Sequence, residues 1–188
     1  MKETKFLVTA ALLAALTCVA TMAIKLPTPT FGYIHLGDGL VLLCGFILGP
    51  IYGALAAGVG SMFADLLSGY AIWAPGTFLI KSLTAFIASL LYRLLKKSLS
   101  GKTGNYGRII AGGFTGETFM VFGYFLYNIF VISITNGAFD GVSVAAAITE
   151  SAAEIPFNMV QGIAGIFIAV LLLPILSKVP DIQKWIKE

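Results

Sequence analysis

The chain has 188 residues, of which 58% are hydrophobic and only 11% charged, and its formal net charge at pH 7 is +3. With a mean hydropathy of +0.93, those proportions exclude a water-soluble domain with an ordinary charged surface. They leave room for about six helical spans of ~20 apolar residues each, packed as one membrane domain over residues 1–188.

The basic residues are not gathered on a polar face with interleaved aromatics, which argues against a nucleic-acid partner. Cys18 and Cys44 sit in apolar runs without metal-ligand spacing, so neither a disulfide framework nor a zinc site is expected. Neither a cofactor nor a metal is expected.

Segment one, about Phe6 to Ile24, is uncharged and follows Lys2 and Lys5. Its apolar run exceeds a signal-peptide core, and Leu26-Pro27-Thr28-Pro29 is no small-residue cleavage site, so it is read as a transmembrane helix. In it Ala10, Ala11, Ala14 and Ala15 form two overlapping small-xxx-small pairs suited to close contact with a partner helix. Lys25 to Tyr33 holds two prolines, which break a helix and predict a loop or lid.

Segments two and three, Leu36 to Leu48 and Ile51 to Leu67, meet at Gly49-Pro50, and segment three is rich in small residues. Segment four runs from about Gly76 to Leu95 and ends in a basic connection carrying Arg93, Lys96, Lys97, Lys102 and Arg108. Segment five covers about Ile109 to Ile134, and Asn136 to Val144 is read as a loop. Segment six, from Ala145 or Ser151 to Leu176, is interrupted by Pro156 and followed by an amphipathic tail.

Threaded with both termini in the cytoplasm, six helices place ten of the twelve Lys and Arg residues inside, Lys25 outside and Lys81 within a span. The proline-rich loop, the Trp73 turn and the Asn136 loop then share the outer face.

Ionisable groups inside spans are costly and are paired or face a cavity. Lys81 has two open readings: an ion pair with Asp65 or Asp38 that pins helices, or contact with a solute. Glu150, Glu154, Asn158 and Gln161 share one helical stripe in segment six, and Glu117, Tyr124 and Asn128 a matching one in segment five, with Tyr127 beside it. These stripes either bond to each other or line a water-accessible pocket. Phe31, Tyr33, Tyr70, Trp73, Tyr124, Tyr127 and Phe157 could stack on a planar ring or anchor at the interface. His35 is read as capping or packing. No GxxxxGK[ST] and no nucleophile-base set occurs, so the chain is read as no enzyme, and any uphill transport draws energy from an ion or a partner.

Several blocks together resemble a known family: the double AxxxA, the proline-containing loop Lys25 to His35, Leu36-Gly37-Asp38, Leu48-Gly49-Pro50, Ala64 to Tyr70, Ala74-Pro75-Gly76-Thr77, Lys81 and Ile155-Pro156-Phe157-Asn158. They are similar to the substrate-binding S components of energy-coupling factor (ECF) vitamin transporters, near the riboflavin and the hydroxymethylpyrimidine or pyridoxine branches. The resemblance implies an all-α bundle of six transmembrane helices in the bacterial plasma membrane that binds a vitamin near its outer face. It also implies docking through helix one on a transmembrane coupling subunit carrying two cytoplasmic ATPases.

It further implies a lid over Leu26 to Tyr33 and pocket residues in the regions of Lys81, Tyr124, Asn128, Asn158 and Gln161, which together with Tyr33, Trp73 and Glu154, read from the residues themselves, make up the expected substrate site. Riboflavin-binding relatives tend to carry Lys where this chain has Gln161. The expectation is therefore pyridoxine or hydroxymethylpyrimidine, with riboflavin as the alternative. From other classes stand a proton-driven transporter using Glu117, Glu154 or Asp65, and a membrane scaffold.

Overall fold

The computed structural model describes residues 2–28, 33–135 and 141–187. Helix α1 (Lys2–Ala23) leads into a hairpin of β1 (Lys25–Pro27) and β2 (Tyr33–His35), paired antiparallel with Leu26 opposite Ile34. Of the expected lid, residues 29–32 lie outside the described residues, Phe31 among them, as do residues 136–140 of the expected Asn136 loop.

Helices α2 (Asp38–Leu48), α3 (Pro50–Leu67), α4 (Ala74–Leu94), α5 (Gly101–Thr135), α6 (Gly141–Ala153), α7 (Ile155–Leu176) and α8 (Pro180–Lys187) follow. The starts of α3, α4 and α7 carry proline: Pro50, Pro75 and Pro156 each occupy the first turn, where a missing N–H costs nothing. Between α2 and α3 the chain reverses at Gly49, whose φ of 86° favours a residue without a side chain.

Helix α2 is the centre of the molecule. Every residue from Val41 to Leu48 is buried, because an all-round apolar helix has no face to give to water. Around it stand α1, α3, α4 and α7, with α8 against it at one end, while α5 packs between α4 and α7 and α6 lies on α5. Close approach depends on small residues: the Ser89 hydroxyl on α4 donates to the Gly45 carbonyl on α2 at 2.6 Å, contact that a lipid-embedded bundle needs in place of a hydrophobic drive.

Two differences from the sequence reading matter. Five helical stretches are long and apolar enough to cross a membrane, Glu3–Ala23, Pro50–Leu67, Ala74–Leu94, Gly101–Thr135 and Gly141–Leu176. The second expected span is the eleven-residue α2, roughly 16 Å long and short of the ~30 Å hydrocarbon core. Helix α5 also begins eight residues before Ile109, so Gly104 and Arg108 are helical rather than in a loop. Arg108 is held there by its own bond, donating from Nε to the Tyr92 carbonyl at 3.0 Å, with its guanidinium 4.1 Å from the Tyr92 ring.

Candidate functional site

At the hairpin end of the bundle β2, the turn before α4, and the facing parts of α3, α4, α5 and α7 border a cleft. Of the eight expected substrate-binding residues, Tyr33, Trp73, Tyr124, Asn128, Glu154, Asn158 and Gln161 line this one cleft. His35, Asp65, Tyr70 and Thr77 line it too. Thr77 was legible as a candidate: Trp73, Thr77 and Lys81 recur every four residues and so share a helix face. His35, read as capping or packing, does cap, since the Gly37 N–H donates to its Nδ1 at 3.0 Å, yet it also borders the cleft. Glu150 is exposed and does not join the stripe that continues through Glu154, Asn158 and Gln161.

Lys81 lies outside the lining. Its ammonium donates to Asp38 Oδ1 at 2.5 Å, with both side chains fully buried, and sits 5.0 Å from the Tyr124 ring. The second Asp38 oxygen accepts from Gln161 Nε2 at 2.8 Å. Gln161 Oε1 in turn accepts the backbone N–H of His35 at 2.9 Å. A continuous chain of bonds therefore runs from the buried ion pair through a cleft-lining amide to the hairpin. The register of α7 permits it, because a Cβ on Gly165 would stand only 2.8 Å from the Asp38 Cβ.

Aromatic faces line the mouth. Tyr33 and Tyr70 lie with ring centres 4.7 Å apart, and Trp73 is edge-on to Tyr70 at 5.9 Å. Trp73, Tyr33 and Tyr124 have polar tethers. The Trp73 indole N–H donates to Asn128 Oδ1 at 3.2 Å, Tyr33 donates to Asp65 Oδ1 at 2.6 Å, and the Tyr124 and Thr77 hydroxyls are bonded at 3.1 Å. Lys25 bonds Ser68 at the end of α3, and its ammonium lies 5.2 Å from the Tyr33 ring, which ties the hairpin down from the other side. Burial first, and the neighbouring Asp65 carboxylate second, push the Tyr33 phenol above its ordinary range.

Burial, reinforced by the Lys81 and Lys25 charges and opposed by Asp38, holds the His35 imidazole down at about 4. It is neutral at pH 7, as the Gly37 N–H donated to Nδ1 requires. Between pH 6.5 and 4 the opened or unfolded hairpin binds a proton that the closed form refuses, so closure loses stability as pH falls, by about 3 kcal/mol at pH 4. Thermal unfolding followed across that window should show the loss, and His35→Asn, which keeps an acceptor for Gly37, should flatten it. An equal slope in His35→Asn would assign it to other groups.

Among the described cleft residues the Tyr33 hydroxyl is bonded to the Asp65 carboxylate and the Thr77 hydroxyl to that of Tyr124. Among the described residues no group of three His, Cys, Asp or Glu side chains is placed to hold a metal ion. The cleft pairs aromatic faces with amides, hydroxyls and carboxylates, the composition of a small-molecule site for a planar polar ring.

On α1 the four alanines separate. Ala10 and Ala14 pack against the core, with the Ala14 carbonyl against Gly60 of α3, whereas Ala11 and Ala15 are exposed beside Leu7, Leu12, Leu16 and Val19.

Residues 1–178 match the family model described as the S component of the ECF-type riboflavin transporter. A relative from Pyrococcus woesei, described as an uncharacterized protein in a gap 3' region, is 38% identical over 107 residues. That match covers 56% of this chain and 66% of the relative, just under two thirds of its length. The backbone is similar to a solved structure of the S component of a bacterial ECF transporter, with a TM-score of 0.69 and 24% identity over 94% of this chain and 97% of that one.

Proposed function

This chain belongs to the ECF-type riboflavin transporter S component family, and from that premise we propose that it captures a planar heteroaromatic vitamin in the hairpin-end cleft for an ATP-driven importer. The observation that carries the reading is Gln161. One cleft-lining amide is bonded both to the buried Asp38 and to the hairpin backbone, so a ligand that reaches it also touches the element that closes the site.

Riboflavin is the first substrate reading, supported by the family and by the aromatic mouth at Tyr33, Tyr70 and Trp73. The second is pyridoxine or hydroxymethylpyrimidine. It is favoured by the neutral Gln161 amide and the Glu154 carboxyl, which suit a smaller ring bearing hydroxymethyl groups. Asn128 and Asn158 would orient either ring by donor and acceptor pairs, Tyr124 and Thr77 would close its inner edge, and Lys81 would act indirectly, through Asp38 and Gln161.

Mass spectrometry of small molecules carried through purification, followed by titration with riboflavin, pyridoxine and hydroxymethylpyrimidine, tests this. One tightly retained vitamin per chain is expected. No binding to any of them, or uptake by the chain alone in liposomes under a pH gradient, would overturn it.

We place the hairpin end outside and both termini in the cytoplasm, in a multi-pass topology in the bacterial plasma membrane, because the opposite end carries most of the Lys and Arg. The coupling subunit with its two ATPases would meet the exposed α1 face at Ala11 and Ala15. Ala15→Leu is expected to leave vitamin binding unchanged while abolishing uptake and co-purification with that subunit. Ala14→Leu is expected instead to lower stability, since it faces α3 at Gly60. Unaltered uptake in Ala15→Leu would remove the docking assignment.

A further inference from the structure

At the end of the bundle opposite the hairpin a larger crevice opens between α1, the α2–α3 turn, the end of α4 and α8. Its walls are apolar and aromatic. Leu48 and Pro50 form part of them, Tyr52 stands edge-on to Phe6 at 5.1 Å, and Trp185 stands edge-on to Phe6 from the other side at 5.3 Å. The vitamin cleft makes no use of any of these residues.

The charges are unevenly satisfied. Lys5 and Asp181 pair at 3.0 Å and neutralise one another on the exposed rim, which leaves Glu3 against Arg93 and Lys184 in the lining. Arg93 is short of acceptors. Among the described residues its Nε is buried with no hydrogen-bond partner, and its Nη2 donates a long bond of 3.4 Å to the Trp185 carbonyl. Gly49 lets that guanidinium lie close against the α2–α3 turn, since a Cβ there would stand 3.2 Å from Nη2. The first turn of α3, beginning at Pro50, adds the positive end of a helix dipole.

We propose that this crevice binds an anionic phospholipid, its phosphate on Arg93 and Lys184 and its upper acyl chain along Phe6, Tyr52 and Trp185. A guanidinium with donors to spare is matched by a phosphate, which takes two parallel N–H bonds. A free anion would satisfy Arg93 but leave the apolar walls uncovered. An apolar partner helix would cover the walls but bring no acceptor to Arg93. An amphiphile does both, and a membrane supplies it at the depth where Trp and Tyr side chains settle. A bound lipid would also clamp α8 to α1, because its two contact groups sit on α4 and α8 while its chain lies against Phe6.

Tryptophan fluorescence tests the proposal. Trp73→Phe leaves Trp185 as the sole tryptophan of two, and the chain is reconstituted into phosphatidylcholine nanodiscs doped with brominated lipid. Brominated phosphatidylglycerol should quench Trp185 well above brominated phosphatidylcholine at equal mole fraction, with a preference of roughly five-fold per basic contact. Arg93→Gln with Lys184→Gln should abolish the preference, and Lys97→Gln, an exposed cation outside the crevice, should not. Native mass spectrometry of the unmodified chain should show one retained phosphatidylglycerol, a readout independent of how the variants fold. Equal quenching by both lipids together with no retained phosphatidylglycerol would overturn the proposal. So would loss of the preference on adding millimolar inorganic phosphate, which marks a free-anion site, or protection of Trp185 by the coupling subunit with no lipid preference, which marks a protein groove.

Discussion

Lys81→Met is expected to lower the unfolding free energy by about 3–5 kcal/mol, the cost of leaving a buried charge without its partner. The carboxylate left behind, Asp38, is fully buried and would lose its charged donor while keeping the Gln161 amide. Asp38→Asn alone strands the ammonium and should cost a similar amount. The double variant Asp38→Asn/Lys81→Met removes both charges, keeps an acceptor for Gln161, and should recover most of the loss, so the two single costs will be far from additive. Denaturant or thermal unfolding of all three proteins in one detergent measures this directly. If Lys81→Met proves as mild as Lys5→Met, which touches only an exposed pair, the ion pair does not hold the bundle. Hairpin closure should weaken along with the pair, because Gln161 links one to the other.

The second large effect is expected on ligand affinity rather than stability. Asn158 is 8% exposed, lines the cleft, and its side-chain amide has no hydrogen-bond partner among the described residues. Its donors and acceptor are thus free to meet a ligand, and Asn158→Ala should weaken vitamin binding by about 10- to 100-fold while leaving the unfolding midpoint nearly unchanged. Asn128→Ala makes the contrast. Asn128 already accepts from Trp73, so its loss should act partly by freeing the indole, with a smaller loss of affinity and a faster off-rate. Isothermal titration or ligand fluorescence quenching separates them. Unchanged affinity in Asn158→Ala would move the ligand out of the cleft.

Much of this site could be read along the chain. Glu154, Asn158 and Gln161, at spacings of four and three, cannot all face lipid, and their stripe leads straight to the cleft. Tyr124 was visible on the matching stripe of α5, and Trp73 as an aromatic near the polar stripes. Lys81 was visible as a charge in a span, but its partner was not, since Asp38 and Asp65 were equally placed near the same end. The structure assigns Asp38 to Lys81 and gives Asp65 to Tyr33. Asp65 thereby stands in the cleft wall rather than in the ion pair. The alanines of α1 show the same limit: spacing of four marks a small-residue face, but not whether that face meets α3 or the outside.

What the sequence determined by itself is the membrane class, the helical segments, the proline-broken element that becomes the hairpin, and the end at which polar groups gather. These follow from hydropathy, period and local backbone restriction, which act between near neighbours. The tertiary structure alone decided that a helix too short to span forms the buried centre, that Lys81 answers to Asp38 43 residues away, and that Gln161 joins the ion pair to the hairpin 126 residues before it. Those choices depend on how far each helix is rotated about its axis and how closely small residues let the backbones approach. A one-dimensional pattern constrains neither until the helices are packed together.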